Sequence, residues 1–194
     1  MVGGLYRRLV LCAGLAGVLV LSVAASAGAT TITLGSVATP GGGGCGNCNI
    51  MGFQSAPGQP KYRVPAGPTG FWTITSWASQ GGGGLAGHAQ LRVYRKTAVT
   101  GQYRMVRQSA LETVPPNGHP GHPTHLNVMK GDLLGLTTLD NLVAGYTTGN
   151  PGDNVKLIFG SLTGPGDIVG PGTSHTFGNL PMDLVNVSAT LKSR

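Results

Sequence analysis

Asn127-Val128-Met129-Lys130-Gly131-Asp132-Leu133-Leu134-Gly135-Leu136 is the stretch that decides the fold. An apolar run enters a Lys-Gly-Asp turn, and a second apolar run leaves it. Such a pattern predicts a β-hairpin, with Val128, Leu134 and Leu136 supplying core. Asp132 directly follows Gly131, so a turn role explains it: its carboxylate takes a hydrogen bond from nearby backbone.

The same two-residue period extends outward. Gly87 to Lys96 places Ala89, Leu91 and Val93 on one face and His88, Gln90, Arg92, Tyr94 and Lys96 on the other. This predicts a strand with one buried and one wet face, paired through a turn near Thr100-Gly101 with Gln102 to Arg107. Thr30 to Val37 alternates and reads as an edge strand. Val185, Val187, Ala189 and Leu191 alternate with polar residues and predict a closing strand that pairs with an early one. Phe71 to Trp77 is a strand by propensity, with one tryptophan expected in the core and the other at its rim. Glycine and proline interrupt every candidate helix after residue 27, and turn signals recur every ~8–12 residues. The predicted fold is therefore all-β: an antiparallel two-sheet β-sandwich or jelly roll following an N-terminal signal peptide.

Arg7 and Arg8, the apolar run from Leu9 to Leu21, and Ala25-Ser26-Ala27 together read as a secretory signal peptide. Residues 1–27 are the expected signal segment. Residues 28–60 form a Gly/Pro-rich stretch with an edge strand and a Cys-x-x-Cys. Residues 61–194 form the sandwich, and 28–194 is expected to be one domain. Leu11 precedes Cys12 where lipidation needs a small residue, so Cys12 is not read as a lipid site. The predicted location is secreted, with no membrane span left after cleavage.

Glycine makes up 34 of 194 residues, and charged residues make up only 10%. Loss of Arg7 and Arg8 leaves eleven basic against six acidic side chains. That balance leans toward anionic partners, with glycan or a cell-wall polymer the expected class. Nucleic acid is not expected.

Cys45-Gly46-Asn47-Cys48 is read as a local disulfide in an oxidising compartment. A redox reading needs a helix after the first thiol, and a zinc reading needs a second ligand pair. Trp77, Arg92, Tyr94, Lys96 and Arg104 form the candidate ligand surface, a basic and aromatic strand face. The competing reading is a solvated face and ordinary core aromatics. His119, His122 and His125 form the alternative site, a Zn or Cu loop, although prolines between them argue for an extended connection. Catalytic signatures are missing: Glu112 is the only glutamate, the five aspartates lie mostly in turns, and no Gly-x-Ser-x-Gly elbow or phosphate loop occurs. The chain is expected to be a non-enzymatic binding or structural module without a cofactor. An unrecognised secreted enzyme is the remaining alternative. Oligomeric state is not legible.

Tyr62-Arg63-Val64-Pro65-Ala66-Gly67, Ile74-Thr75-Ser76-Trp77, Val128 to Leu136 and Val185 to Leu191 occur in this order. Together they resemble a group of uncharacterised secreted β-sandwich proteins from high-GC Gram-positive bacteria. The resemblance covers residues 60–191 and implies fold and export. Its motifs are structural, so it implies no site residues.

Overall fold

The structure is a computed structural model that describes residues 28–37, 48–59, 61–81, 85–116, 119–140, 143 and 145–194. The expected signal peptide and Cys45 lie outside these residues, so the Cys45–Cys48 pairing does too. Among the described residues every regular element is a strand. They are β1 (Thr31–Ser36), β2 (Cys48–Gln54), β3 (Phe71–Ala78), β4 (Gly87–Lys96), β5 (Tyr103–Gln108), β6 (Glu112–Val114) and β7 (His122–Met129). There follow β8 (Leu133–Thr138), β9 (Tyr146–Thr148), β10 (Asn154–Ile158), β11 (Ile168–Val169), β12 (Phe177–Pro181), β13 (Asp183–Val185) and β14 (Val187–Ser193).

A four-stranded sheet runs β1-β14-β3-β7. A larger sheet runs β11-β5-β4-β8-β2-β10-β12, with β6 on β4, and β13 pairs β9 separately. All strand pairs are antiparallel. The two main sheets face each other across one apolar core, as the sequence predicts. Trp72, Ile74, Trp77, Val128 and Leu191 come from the smaller sheet; Ile50, Leu91, Val93, Leu134 and Leu136 come from the larger. β1 is an edge strand, and the closing strand pairs with it and with β3.

The opening stretch does turn at Lys130-Gly131, with Gly131 at φ +92°, a conformation natural to glycine. It is not a hairpin. β7 pairs with β3 in the smaller sheet, whereas β8 sits between β4 and β2 in the larger. The turn is an arch that carries the chain across the sandwich. Its partner is the Tyr62-Arg63-Val64 segment. The Val64 amide donates to Asp132 O at 2.8 Å, the Gly131 amide to Val64 O at 2.9 Å and the Leu134 amide to Tyr62 O at 2.9 Å. Those bonds occupy the backbone groups that a hairpin partner would have used. The expected turn role of Asp132 holds: the Met129 amide donates to Asp132 Oδ2 at 3.0 Å.

Two further expectations change. β3 carries an irregularity between Ile74 and Ser76, facing both β7 and β14, which leaves Thr75 extra and exposed. A bulge shifts the inside/outside phase by one residue. Trp72, Ile74 and Trp77 therefore all face the core. The second correction concerns β4, whose predicted wet face is covered at Arg92 and Tyr94, while His88 and Lys96 are exposed as expected. Met51, Tyr94, Tyr103, Met105, Leu133, Ile158, Leu162 and Val169 form a second apolar cluster on that outer side. The connection between β10 and β12 supplies Leu162 and Val169 and is tied down by β11 on β5. Gly135 of β8 makes room for this layer, because a Cβ there would lie 2.7 Å from Tyr94 Cε2.

Candidate functional site

The predicted ligand surface is divided by this architecture. Trp77 is 1% exposed inside the main core, and its ring stacks at 4.9 Å on His122. Tyr94 is fully buried in the second cluster, and burial pushes its phenol well above the usual range. Neither ring offers a face to a sugar. Arg92 is also buried. Lys96 and Arg104 do come together: both are exposed and line a depression of about 270 Å³ with Arg95, Thr97, Ala98 and Val106.

The histidines diverge. His122 and His125 belong to β7, not to a loop, and three residues along a strand is an odd step. His122 packs inward against Trp77 while His125 is exposed. Among the described residues no three His, Cys, Asp or Glu side chains gather as a metal set. The residue that sequence reading missed is Glu112, whose Oε2 stands 3.7 Å from His122 Nδ1. β6 brings it there from ten residues away by pairing with β4.

A different set of residues converges at the end of the larger sheet beside the arch. Phe53 lies on the outer face of β2 with Met51, two residues before it, where the register of β2 on β10 shifts. Phe53 meets Tyr103 edge to face at 6.2 Å, and Tyr103 meets Phe177 at 6.1 Å. Lys156 Nζ lies over the Phe53 ring at 4.4 Å and over Phe177 at 5.0 Å, within cation–π reach of both. It also donates to Asn179 Oδ1 at 3.0 Å. Partial burial lowers the pKa of Lys156 from the ordinary lysine value. Phe53 in turn lines a groove of about 490 Å³ with Gln54, Ser55, Lys61, Tyr62 and Arg63.

The groove is held by its neighbours. The buried Tyr62 hydroxyl donates to Val185 O at 2.6 Å. Gly52 clears space for the Tyr62 ring, since a Cβ there would lie 2.6 Å from Tyr62 Cβ. Lys61 Nζ donates to Ala56 O at 3.0 Å, and Arg63 Nη1 to Gly131 O at 3.3 Å. Lys61 and Arg63 are exposed, and neither they nor Lys156 stands in an ion pair among the described residues. Three uncompensated cations around an aromatic floor make a surface suited to an anion that also presents a stacking face.

The arch turn joins this groove to the Lys96–Arg104 depression. Gly131 O receives Arg63 on one side, and Asp132 receives Arg95 on the other. No family model, curated protein or solved structure matches the chain.

Proposed function

We propose that the protein is an exported, non-catalytic binding module for an anionic glycan or cell-wall polymer. The observation that carries this reading is Lys156 held over Phe53 and Phe177 beside the exposed Lys61 and Arg63, which stand in no ion pair among the described residues. Cations serve the carboxylates or phosphates of such a polymer, and ring faces serve its sugars. An open groove, as opposed to a closed cavity, suits a chain that passes through.

The distribution of acids supports the non-catalytic part. Asp132 is bonded to Arg95 and the Met129 amide. Asp140 is bonded to the His88 amide and ring, and Asp153 to the Ala56 and Asn150 amides. Asp167 holds the Thr163 and Gly164 amides, and Glu112 faces His122. Five of the six acidic side chains thus serve the scaffold. The expected Cys45–Cys48 disulfide and the signal segment fit an exported protein.

Co-sedimentation of the mature protein with isolated Gram-positive cell walls, and with walls stripped of anionic polymer, tests the assignment. Binding that depends on the anionic fraction and falls in a Lys61→Ala/Arg63→Ala/Lys156→Ala variant is expected. Equal binding to stripped walls would remove the anionic partner.

A further inference from the structure

Arg92 lies in mid-β4 on the outer face of the larger sheet, 5% exposed. Its Nη1 donates to Met105 Sδ at 2.8 Å, and a thioether is a weak acceptor. Its Nε is enclosed and meets no acceptor among the described residues. No carboxylate reaches ion-pairing distance of it among the described residues. Asp167 acts on it only from farther away, with its own carboxylate engaged by the Thr163 and Gly164 amides. Burial lowers the Arg92 pKa, yet a guanidinium keeps its proton in a protein. A buried cation without an anion is costly, and a fold that keeps one calls for a partner.

Space for that partner adjoins it. An open pocket of about 320 Å³ is lined by Arg92, Asn49, Thr137, Leu139, Ser161 and Leu162. The polar lining is fixed on one side: Thr137 Oγ1 donates to Asn49 Oδ1 at 2.7 Å, and Asn49 Nδ2 donates to Gly160 O at 3.2 Å. That orientation leaves the second Nδ2 hydrogen of Asn49 as a donor. Ser161 stands exposed at the rim with a hydroxyl that bonds to no described residue. Leu139, an exposed large apolar side chain, and Leu162 complete the wall.

We propose that this pocket binds one monovalent carboxylate carried on a compact apolar body. A planar guanidinium matches a carboxylate, and one cation with neutral donors balances one negative charge. A phosphate dianion would leave charge uncompensated. The leucines take the apolar body. This site shares no residue with the aromatic groove and does not depend on its assignment.

Sodium benzoate and sodium acetate serve as probes against the mature protein, with sodium chloride and inorganic phosphate at matched ionic strength as controls. The readouts are the Asn49 side-chain amide and Arg92 guanidinium signals by ¹⁵N NMR, together with the melting temperature. Saturable shifts of both signals are expected, with benzoate binding more tightly than acetate and a melting temperature that rises with benzoate. Ser161→Trp fills the exposed rim without touching the core and is expected to weaken benzoate binding by about tenfold or more. Arg92→Met, where it folds, is expected to abolish binding. Signals that respond to chloride or phosphate as they do to benzoate would overturn the proposal. So would unsaturable shifts, or benzoate binding by Ser161→Trp at wild-type affinity.

Discussion

Arg95 grips Asp132 with both arms of its guanidinium: Nε donates to Oδ1 at 2.7 Å and Nη2 to Oδ2 at 2.8 Å. Asp132 is fully buried while Arg95 keeps part of its surface in solvent. The pair fastens the arch between the sheets to β4, and the same carboxylate holds the Met129 amide at the end of β7. Arg95→Ala leaves a buried carboxylate with its strongest partner gone. A loss of roughly 2–4 kcal/mol is expected in urea unfolding, somewhat below the cost for a fully buried pair because Arg95 is partly exposed. Arg95→Lys is expected to recover only part of it, since one ammonium cannot reproduce the fork.

Trp77 is a core residue, so its removal reports on stability. Trp77→Ala is expected to cost about 3–5 kcal/mol, read from the denaturation midpoint, through lost burial and a residual cavity. Polymer binding by the fraction that remains folded is expected to match wild type.

Asp167 predicts an acid-sensitive loop. Burial alone would raise its pKa, but the Gly164 and Thr163 amides, the Thr163 hydroxyl and the charge of His175 together hold it below the ordinary carboxylate value. A depressed folded-state pKa gives stability that is present above the unfolded value of about 3.9 and is lost as pH falls through the folded one. Asp167→Asn is therefore expected to cost about 0.5–1 kcal/mol at neutral pH, a small figure because solvent screens the site. The gap between the two proteins should close as pH drops below about 4, which urea midpoints taken along a pH series will show.

The strand register of His122 and His125 predicts no shared zinc ion. Zinc added to the mature protein is expected to leave the melting temperature unchanged, and a His119→Ala/His125→Ala variant should behave as wild type does. His122→Ala is expected to destabilise by itself, because His122 packs on Trp77 and faces Glu112.

Local chemistry made the strands legible. Alternation located β1, β4 and β14, and glycine located the turn at Gly131. Pairing was less legible, because a Gly-Asp turn between apolar runs serves a hairpin and an arch alike. What decided the arch was a distant segment, Tyr62 to Val64, taking the backbone bonds of the turn and of β8. The burial of Tyr94 and Arg92 was hidden for a similar reason. Their strand alternates as if one face were wet, but the connection carrying Leu162 and Val169 folds over that face from seventy residues away. The bulge at Thr75 puts Trp77 on the core face with Trp72 and Ile74, which no period-two reading assigns. Lys61 and Arg63 come from one stretch, and Phe53 and Lys156 from two others, so their gathering had no sequence signature.

Chemical-shift mapping of the mature protein with a soluble oligouronate tests the proposed function most directly. Saturable shifts are expected at Phe53, Lys61, Arg63, Lys156 and Phe177, and they should weaken as salt screens the cations. They should vanish in Lys61→Ala/Arg63→Ala/Lys156→Ala while the remainder of the spectrum stays in place. Saturable shifts confined to other surfaces, or none with any anionic glycan or wall polymer, would contradict it.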